Sequence, residues 1–469
     1  MPHSLSPSAL RLSNKTLPEI CSRNTEVEAC SYSRDDLKHG IVHVGIGGFH
    51  RAHLGVYVDK LLSEYKLKDW SICGVGITKW DAPMRDALKP QDYLYTIIER
   101  SEQGSVPKVN GPLTDFLLAE DDAEAVVAKM ADPATHIVSM TITESGYYYN
   151  ENTHELEAHK PDIARRHAAG LKPFTVMSCD NMQGNGSITR AMLLAFAKLK
   201  DPAIHAWLEK EGAFPNSMVD RITPRTVQEH KDFLADTFGI QDSWPVVTEP
   251  FMQWVLEDQF SDGRPPFEKV GVQVVKTLHE VEQFEMHKLR LLNASHSALA
   301  YLAYLANFEY VHDVIADPVF NSYIINMMEK EVRPLLPEIE GVDINQYCKT
   351  LLARFGNPIL KDEVTPDPPR TREPGRWRPL RRLTLAVAGW FRFSNAQDEA
   401  GKPIKVEDPM AAELQEKALE GGHGPHALLG IKMLFGDDLR GDERFVKELT
   451  AAMESLYTVG ARKTLESYV

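Results

Sequence analysis

Short, continuously apolar runs alternate with stretches of helical periodicity between about Gly40 and Asn185. The apolar runs are IVHVGIGG (41–48), WSICGVGI (70–77), YLYTIIE (93–99), HIVSMTITE (136–144) and FTVMSCDN (174–181). Runs that are apolar at every position are typical of strands buried on both faces. The pattern therefore predicts an α/β fold with βαβ units and a parallel sheet covered by helices on both sides.

A change to long helical patterns begins near Glu280, where Leu, Ala, Met and Glu become frequent. The strongest of these patterns is HEVEQFEMHKLRLLNASHSALAYLAYLA (279–306). Apolar positions spaced by three and four residues indicate amphipathic helices. We therefore predict two domains: an α/β domain over residues 1–280 and a mainly α-helical domain over residues 281–469.

Polar residues and glycines follow the predicted strands. In open parallel sheets, ligands bind beyond the carboxyl ends of the strands. The residues at those ends are Gly45, Gly47 and Gly48, then Lys79 and Asp81, then Thr143 and Glu144, and finally Asp180 and Asn181.

The first strand runs into GIGGFHRAH (45–53), where glycines allow close approach of the backbone to a pyrophosphate. The predicted cofactor-binding residues of this turn are Gly45, Ile46, Gly47, Gly48 and Phe49. His50 stands where the third glycine of the GxGxxG pattern is expected. A tight turn without any ligand is the alternative, and the position after the first strand of a βαβ unit favours the cofactor.

Asp81 follows the second strand, where a carboxylate would bond the ribose hydroxyls of NAD and repel the 2′-phosphate of NADP. Lys79 lies two residues earlier and could accommodate that phosphate. An ordinary solvated loop is a third possibility. The sequence favours NAD over NADP.

Three polar side chains lie close together on the predicted helix of the second domain, namely Lys288, Asn293 and His296. At roughly 100° per residue they span about 140° of an α-helix, so all three can face one cavity. Desolvation and a neighbouring positive charge favour the neutral amine of a lysine, the form that a general base for an alcohol needs. Asparagine amides can donate to the developing alkoxide. Taken alone, the three residues also suit the exposed face of an amphipathic helix.

Two further groups allow more than one interpretation. His43, His50 and His53 could suggest a metal site, but no cysteine or carboxylate completes a zinc set, so surface or cofactor-side histidines are favoured. Asp220 and Arg221 form an adjacent charged pair that is either a surface salt bridge or a device that orders a site.

The composition excludes several classes of protein. Of the residues, 43% are hydrophobic and 25% charged, as in globular proteins, and the net charge of −15 offers no cationic surface for nucleic acid or an anionic membrane. The five cysteines are widely spaced and predict neither disulfides nor a thiolate metal site. Neither a signal peptide nor a membrane span is evident, which favours a cytoplasmic protein. We expect a monomer, because the sequence indicates no oligomerisation seam.

Five motifs in order resemble those of the polyol-specific long-chain dehydrogenases over nearly the whole chain. They are GIGGFHRAH (45–53), SCDNMQGNG (178–186), MVDRITP (218–224), WPVVTEPFMQWVLED (244–258) and KLRLLNASH (288–296). The resemblance implies a Rossmann-type amino-terminal domain, a helical carboxy-terminal domain, no zinc, and oxidation of D-mannitol to D-fructose with NAD, together with the reverse reduction.

The resemblance also implies a role for each matched residue. Lys288 matches the general base, Asn181 and Asn293 match the pair that holds the substrate oxygen, and His296 matches a substrate contact. Glu285 matches a residue that connects the proton of the lysine to solvent. Asp220 matches a residue lining the substrate pocket.

The chain departs from this family between Pro366 and Pro379. The segment PDPPRTREPGRWRP has five prolines and four arginines in fourteen residues. The resemblance implies that family members have here a helix and a loop containing an arginine, a DGS tripeptide and a lysine, of which the arginine and the lysine help to grip the polyol. It also implies that this chain is roughly thirty residues shorter than they are. The alternatives are a related polyol or hexuronate dehydrogenase, acting for example on arabinitol or sorbitol, or a nucleotide-binding protein with impaired catalysis.

Overall fold

The chain divides into two compact units, Met1–Phe284 and Glu285–Val469. The structure is a computed structural model that describes residues 9–101, 103–143, 149–150, 155–156, 164–364, 380–406, 408, 410–436 and 438–469. Glu144 and the segment 366–379, both singled out in the sequence, lie outside these residues. Within the described residues, no helix is both long enough and apolar enough to cross a bilayer.

A five-stranded parallel sheet forms the centre of the first unit. In spatial order its strands are Thr175–Ser178, Ile137–Met140, Ile41–Val44, Ile72–Gly76 and Leu113–Leu118. Alternate residues of one strand point to opposite faces. Accordingly, Ile41 belongs to the hydrophobic core on one face, and Val42 and Val44 belong to the core on the other. The predicted parallel sheet with two covered faces is confirmed.

One predicted strand joins a different sheet. YLYTIIE contributes to strand Tyr95–Ser101, which pairs antiparallel with Gly104–Asn110 in a four-stranded sheet completed by Val246–Thr248 and Glu28–Ala29. Only Glu102 and Gln103 separate the two antiparallel strands, and a connection so short cannot cross over to make a parallel pair. Leu113–Leu118, which the sequence analysis did not single out, is the edge strand of the parallel sheet instead.

The remaining strands of this unit are short. One three-stranded sheet contains Ser217–Asp220, Gln253–Glu257 and Gln273–Val275, and Leu10–Arg11 pairs with Ile240–Gln241. Tyr149–Asn150 and Glu155–Leu156 form a two-stranded pair. The α-helices are Leu17–Arg23, Gly48–Ala52, Leu54–Tyr65, Ala82–Leu88, Ala123–Ala131, Ala164–Ala168, Asn185–Lys200, Pro202–Glu211 and Gln228–Phe238.

The second unit is helical, as predicted. A helix that begins at Leu278, seven residues before this unit, runs to Leu305. It contains a π-helical segment, Lys288–Asn293, between the α-helical parts Leu278–His287 and Ala294–Leu305. A second π segment, Met327–Val332, follows Pro318–Asn326. The other α-helices are Val311–Ala316, Ile344–Phe355, Arg381–Phe393, Ala411–Gly421, His426–Leu429, Lys432–Phe435, Asp438–Gly441, Glu443–Thr458 and Ala461–Glu466.

The core of this unit is built around Arg381–Phe393, which packs against both Ala294–Leu305 and Glu443–Thr458. Gly389 allows the close approach, because a Cβ atom there would lie 3.0 Å from Cδ2 of Leu302. The chain therefore resumes a tightly packed helix directly after the segment in which its sequence is unusual.

Candidate functional site

The glycine turn joins strand Ile41–Val44 to helix Gly48–Ala52. Gly45 has φ = +92°, and a Cβ atom there would lie 2.2 Å from the Thr141 carbonyl oxygen, so its own backbone requires glycine. At Gly47 a Cβ atom would meet nothing closer than the Gly45 carbonyl oxygen at 4.0 Å. Open space in front of Gly47 is what a pyrophosphate pressed against the backbone would need. Gly45 is thus required by the backbone conformation of the turn, whereas Gly47 leaves space beside the backbone for a ligand.

His50 takes the place of the third glycine by stacking on the strand beneath it. Its ring lies 3.5 Å from that of His43, centroid to centroid, and both side chains are buried. His43 bonds the hydroxyls of Ser139 and Thr141 at 2.8 and 3.0 Å, and burial lowers its pKa to about 3. Burial also lowers the pKa of His50 well below its ordinary value. The helix approaches the strand through two neutral stacked rings rather than through a glycine.

The three histidines of this region are interior residues. His53 is also buried, and one of its ring nitrogens, Nε2, lies 2.9 Å from the Gln253 carbonyl oxygen. The surface location considered from the sequence was therefore wrong, because all three rings are buried, His43 on a strand and His50 on the helix that follows it. The cofactor-side location stays a prediction. Among the described residues, no group of three or more His, Cys, Asp or Glu side chains could hold a metal ion.

Asp81 lies just after the second strand, Ile72–Gly76. Its Oδ2 atom accepts hydrogen bonds from the backbone N–H groups of Ile77 and Thr78 at 2.9 and 3.0 Å. Gly76 is needed for this loop, because a Cβ atom there would lie 2.6 Å from Cβ of Asp81. The carboxylate is thus held at the carboxyl end of the strand, the position that suits a ribose contact.

Asn181 and its neighbour Asp180 lie at the same edge of the sheet. The carboxylate of Asp180 is buried and accepts the backbone N–H groups of Ile142 and Thr143 at 3.2 and 2.8 Å, which ties two strand ends together. Asn181 is exposed immediately after it. The Asn181 amide therefore lies at the carboxyl edge of the sheet, where the sequence analysis predicted that a ligand binds.

The structure gives Arg221 a different role from the surface ion pair that was one interpretation of its sequence. It is buried and donates to the carbonyl oxygens of Ala52 at 2.6 Å and Glu249 at 2.9 and 3.0 Å, and it pairs with the carboxylate of Glu99 at 2.5 Å. The surface salt bridge considered from the sequence was wrong. Arg221 instead joins the end of the glycine-turn helix to the strand that carries the buried Asp220.

Lys288 and Asn293 are the first and last residues of the π-helical segment in the second unit. The angle of about 140° between these side chains, which assumed an α-helix, was therefore wrong. In a π-helix the hydrogen bonds join residues i and i+5, so two residues five positions apart are separated by roughly one turn. Both side chains consequently point to the same side of the helix. Wide turns of this kind occur frequently at functional sites.

The other candidates of the second unit lie on the same helix. Glu285, three residues before Lys288, is buried, and so is Lys288 itself. His296 is half-buried, with its ring centroid 6.2 Å from that of Phe355. One continuous helix therefore carries Glu285, Lys288, Asn293 and His296, while the cofactor turn, Asp81, Asn181 and Asp220 belong to the first unit.

Family models match both units. The mannitol dehydrogenase Rossmann domain matches residues 39–269, and the mannitol dehydrogenase C-terminal domain matches residues 280–366 and 374–457. The chain belongs to the mannitol dehydrogenase family. This confirms the resemblance found from the five motifs and the predicted fold class.

Relatives of this family align over nearly the full length. Mannitol 2-dehydrogenase of Aspergillus oryzae is 55% identical over 498 positions, covering 98% of this chain and 99% of the relative. Mannitol 2-dehydrogenase of Phaeosphaeria nodorum is 55% identical over 505 positions, covering 100% of this chain and 87% of the relative. Since this chain has only 469 residues, at least 29 positions of the first alignment have no counterpart in it.

Two solved structures have the same fold as this chain. The ternary complex of Pseudomonas fluorescens mannitol 2-dehydrogenase with NAD and D-mannitol aligns with a TM-score of 0.85 and 37% identity, covering 98% of this chain and 99% of that one. A substrate-free D-sorbitol dehydrogenase aligns with a TM-score of 0.85 and 33% identity, covering 97% and 100%.

The family model passes over residues 367–373. These residues fall within the proline- and arginine-rich segment 366–379, whose sequence departs from the family pattern. The segment lies outside the described residues. The unmatched stretch coincides with the place where the family's polyol-gripping arginine and lysine were expected.

Proposed function

We propose that this chain is an NAD-dependent polyol dehydrogenase that interconverts D-mannitol and D-fructose. The observation that carries the proposal is its full-length similarity to mannitol 2-dehydrogenases, at 55% identity to curated relatives and with the fold of an NAD and D-mannitol complex. Relatives this similar, with the glycine turn and the KLRLLNASH motif both present, support the same reaction in this chain.

The cofactor would lie along the carboxyl edge of the parallel sheet. Residues 45–49 would hold the pyrophosphate, with the open space at Gly47 admitting it, and Asp81 would accept hydrogen bonds from the adenosine ribose. Bound NAD⁺ supplies the acceptor for the hydride that leaves C2 of the polyol.

The protein itself would move the proton. Lys288 takes the proton of the C2 hydroxyl while the C2–H bond breaks, so that C2 becomes a carbonyl carbon. The amides of Asn181 and Asn293 donate to the oxygen as negative charge develops on it. Glu285 then receives the proton from Lys288 and passes it to solvent, and fructose reduction runs through the same groups in reverse.

Asp220 and His296 would orient the polyol. A carboxylate and an imidazole can bond hydroxyl groups of the substrate, which fixes the face that C2 presents to the cofactor. Since the base is a lysine amine, the proposed reaction needs no metal.

Replacing Lys288 with alanine tests the central assignment. General acid–base groups contribute about 10²- to 10⁴-fold to a rate. We therefore expect kcat for mannitol oxidation near neutral pH to fall by at least about 100-fold, with the Kd for NADH changed by less than about twofold. The measurements are NADH absorbance during turnover and calorimetric titration with NADH.

Arg290→Ala is the matched control, because Arg290 lies in the same π segment and has no role in the proposed chemistry. Added primary amines should partly restore the activity of K288A, since they replace the missing base. If K288A retains most of its neutral-pH activity, the lysine is not the base.

A D-sorbitol dehydrogenase activity is the second candidate, since the solved structure of that name aligns with the same TM-score. Comparing kcat/KM for mannitol, sorbitol and arabinitol, and for hexuronates, distinguishes the family activities. NADH binding without turnover on any of these substrates would instead indicate a nucleotide-binding protein that has lost catalysis.

We also propose that the enzyme acts as a cytoplasmic monomer without a nucleic-acid partner. Its five cysteines are all free thiols, and its net charge of −15 repels polyanions. Size-exclusion chromatography with light scattering should give a mass near 52.8 kDa. A mass of twice that value would replace the monomer with a dimer.

A further inference from the structure

One tryptophan of the first unit is exposed to solvent. The side chain of Trp80 is 81% exposed, while every other tryptophan in the described part of the chain is buried or half-buried. An indole ring left in water exposes a large, flat aromatic surface that can pack against another ring. The position of Trp80 indicates what could cover it.

Trp80 lies directly before Asp81, in the loop that follows strand Ile72–Gly76. That strand is the neighbour of Ile41–Val44, which leads into the glycine turn. In dinucleotide-binding folds, the acidic residue of this loop binds the adenosine ribose. A side chain next to Asp81 is therefore placed to contact the base attached to that ribose.

Hydrogen bonds within the loop hold Trp80 in place. The Thr78 hydroxyl accepts the backbone N–H of Trp80 at 3.3 Å, and the Asp81 carboxylate accepts the N–H groups of Ile77 and Thr78. The close contact between Gly76 and Asp81 fixes this turn against the end of the strand. The loop that carries the exposed indole therefore has a defined conformation.

We propose that Trp80 stacks on the adenine ring of NAD, with Ile77, which is 49% exposed, providing apolar surface beside it. This inference rests on the proposed function, since it takes NAD as the cofactor. Stacking removes the apolar faces of both rings from water and needs no base-specific hydrogen bonds. The Lys79 ammonium lies over one face of the indole, 5.6 Å from its centroid, so the adenine would stack on the opposite face.

The test compares Trp80→Ala and Trp80→Phe with the wild-type protein. Three probes separate the parts of the cofactor: NADH, ADP-ribose, and reduced nicotinamide mononucleotide, which lacks the adenosine. W80A should weaken NADH and ADP-ribose roughly tenfold, in line with base stacking on an aromatic side chain. It should leave the mononucleotide unchanged, and W80F should retain most of the affinity.

Leu199→Ala is the control, because it removes another exposed apolar side chain, 69% exposed, at the far end of a different helix. ADP-ribose should also quench part of the wild-type tryptophan fluorescence, and this part should be missing in W80F. Thermal melts check that each variant is folded.

Unchanged NADH and ADP-ribose affinities in W80A would overturn the stacking and leave the proposed function standing. Equal weakening of all three probes would also overturn it, because a general loss of cofactor affinity does not involve the adenine. A wild-type protein that binds no NADH would instead overturn the proposed function and this inference together.

Discussion

Arg221 is a single buried side chain that connects several segments around the glycine turn. Its guanidinium bonds two backbone carbonyls and one carboxylate, contributed by Ala52, Glu249 and Glu99. The Glu249 side chain in turn accepts the N–H of Ile222 at 2.6 Å. The strand that carries Asp220 is therefore locked to the helix that begins at the glycine turn.

Replacing Arg221 with methionine should destabilise the protein by about 3 kcal/mol, because it leaves buried carbonyls and a carboxylate without their partner. It should also weaken NADH binding, since the glycine-turn helix loses an anchor. Urea unfolding and NADH titration measure the two effects. Arg225→Met, at an exposed position four residues later, is the control and should change neither. Equal stability of R221M and R225M would contradict the anchoring role.

The stacked histidines make stability depend on pH. Burial holds the pKa of His43 at about 3 and that of His50 well below the ordinary value of 6.5, so both are neutral in the folded state. In the unfolded chain each takes up a proton as the pH falls below about 6.5. The folded state therefore keeps its full stability above that pH and loses it progressively as the pH falls toward the folded values.

His50→Phe should reduce this pH dependence, because phenylalanine preserves a stacked ring without a titrating group. Both nitrogens of His50 lack a hydrogen-bond partner within the described structure, so no bond is lost. Between pH 6 and 5, the free energy of unfolding should fall by about 1 kcal/mol less in the variant. Chemical denaturation at each pH measures this. The exposed His279→Phe should behave like wild type, and an unchanged slope in H50F would exclude the burial argument.

At the scale of elements, two π segments of the second unit contact each other, Lys288–Asn293 and Met327–Val332. The first brings the proposed base and amide to one side of a helix. The second places Glu331 in the interior, where its carboxylate accepts the N–H groups of Arg382 and Leu383 at 3.0 and 3.1 Å. Glu331 thus secures the beginning of helix Arg381–Phe393, which directly follows the unusual segment.

Glu331→Ala should destabilise the protein by about 2 kcal/mol, since it leaves helix-terminal N–H groups in the interior without an acceptor. Unfolding in urea followed by circular dichroism gives the value. Glu329→Ala is the matched control in the same π segment, because Glu329 is exposed and its loss should change stability by less than about 0.5 kcal/mol. Equal losses of stability in the two variants would show that Glu331 does not stabilise the beginning of helix Arg381–Phe393.

At the scale of the whole molecule, the sequences of the glycine turn and of the Lys288 helix match the family pattern, while the sequence of the segment 366–379 does not. The family model leaves residues 367–373 unmatched, and the A. oryzae relative has residues for which this chain has none. Because the resemblance assigns polyol-gripping residues to this region, we expect a deficit in substrate affinity rather than in cofactor binding.

Exchanging residues 365–379 for the corresponding stretch of the A. oryzae relative should lower the KM for mannitol by at least about tenfold, because the resemblance assigns to this stretch an arginine and a lysine that bind the polyol hydroxyls. The Kd for NADH should stay within about twofold. Steady-state kinetics and calorimetry measure both. A chimaera with an unchanged KM would show that substrate affinity does not depend on this segment.

Local patterns determined the class of fold, the glycine turn and the existence of the Lys288 helix. Strands buried on both faces are apolar throughout, and the apolar positions of a helix recur with a fixed period. Both patterns can therefore be recognised in a single sequence. The family motifs assigned a role to each residue of the candidate site. Partner choice between strands leaves no such record, which is why YLYTIIE was assigned to the wrong sheet.

Tertiary packing alone decided the rest. Only the fold showed that Arg221 is buried beside Glu99, that His43 and His50 stack in the interior, and that Trp80 remains exposed beside Asp81. The same holds for the π turn that brings Lys288 and Asn293 to one side of their helix. Burial depends on contacts between residues far apart in the chain, so no local pattern of hydrophobic and polar positions contains it.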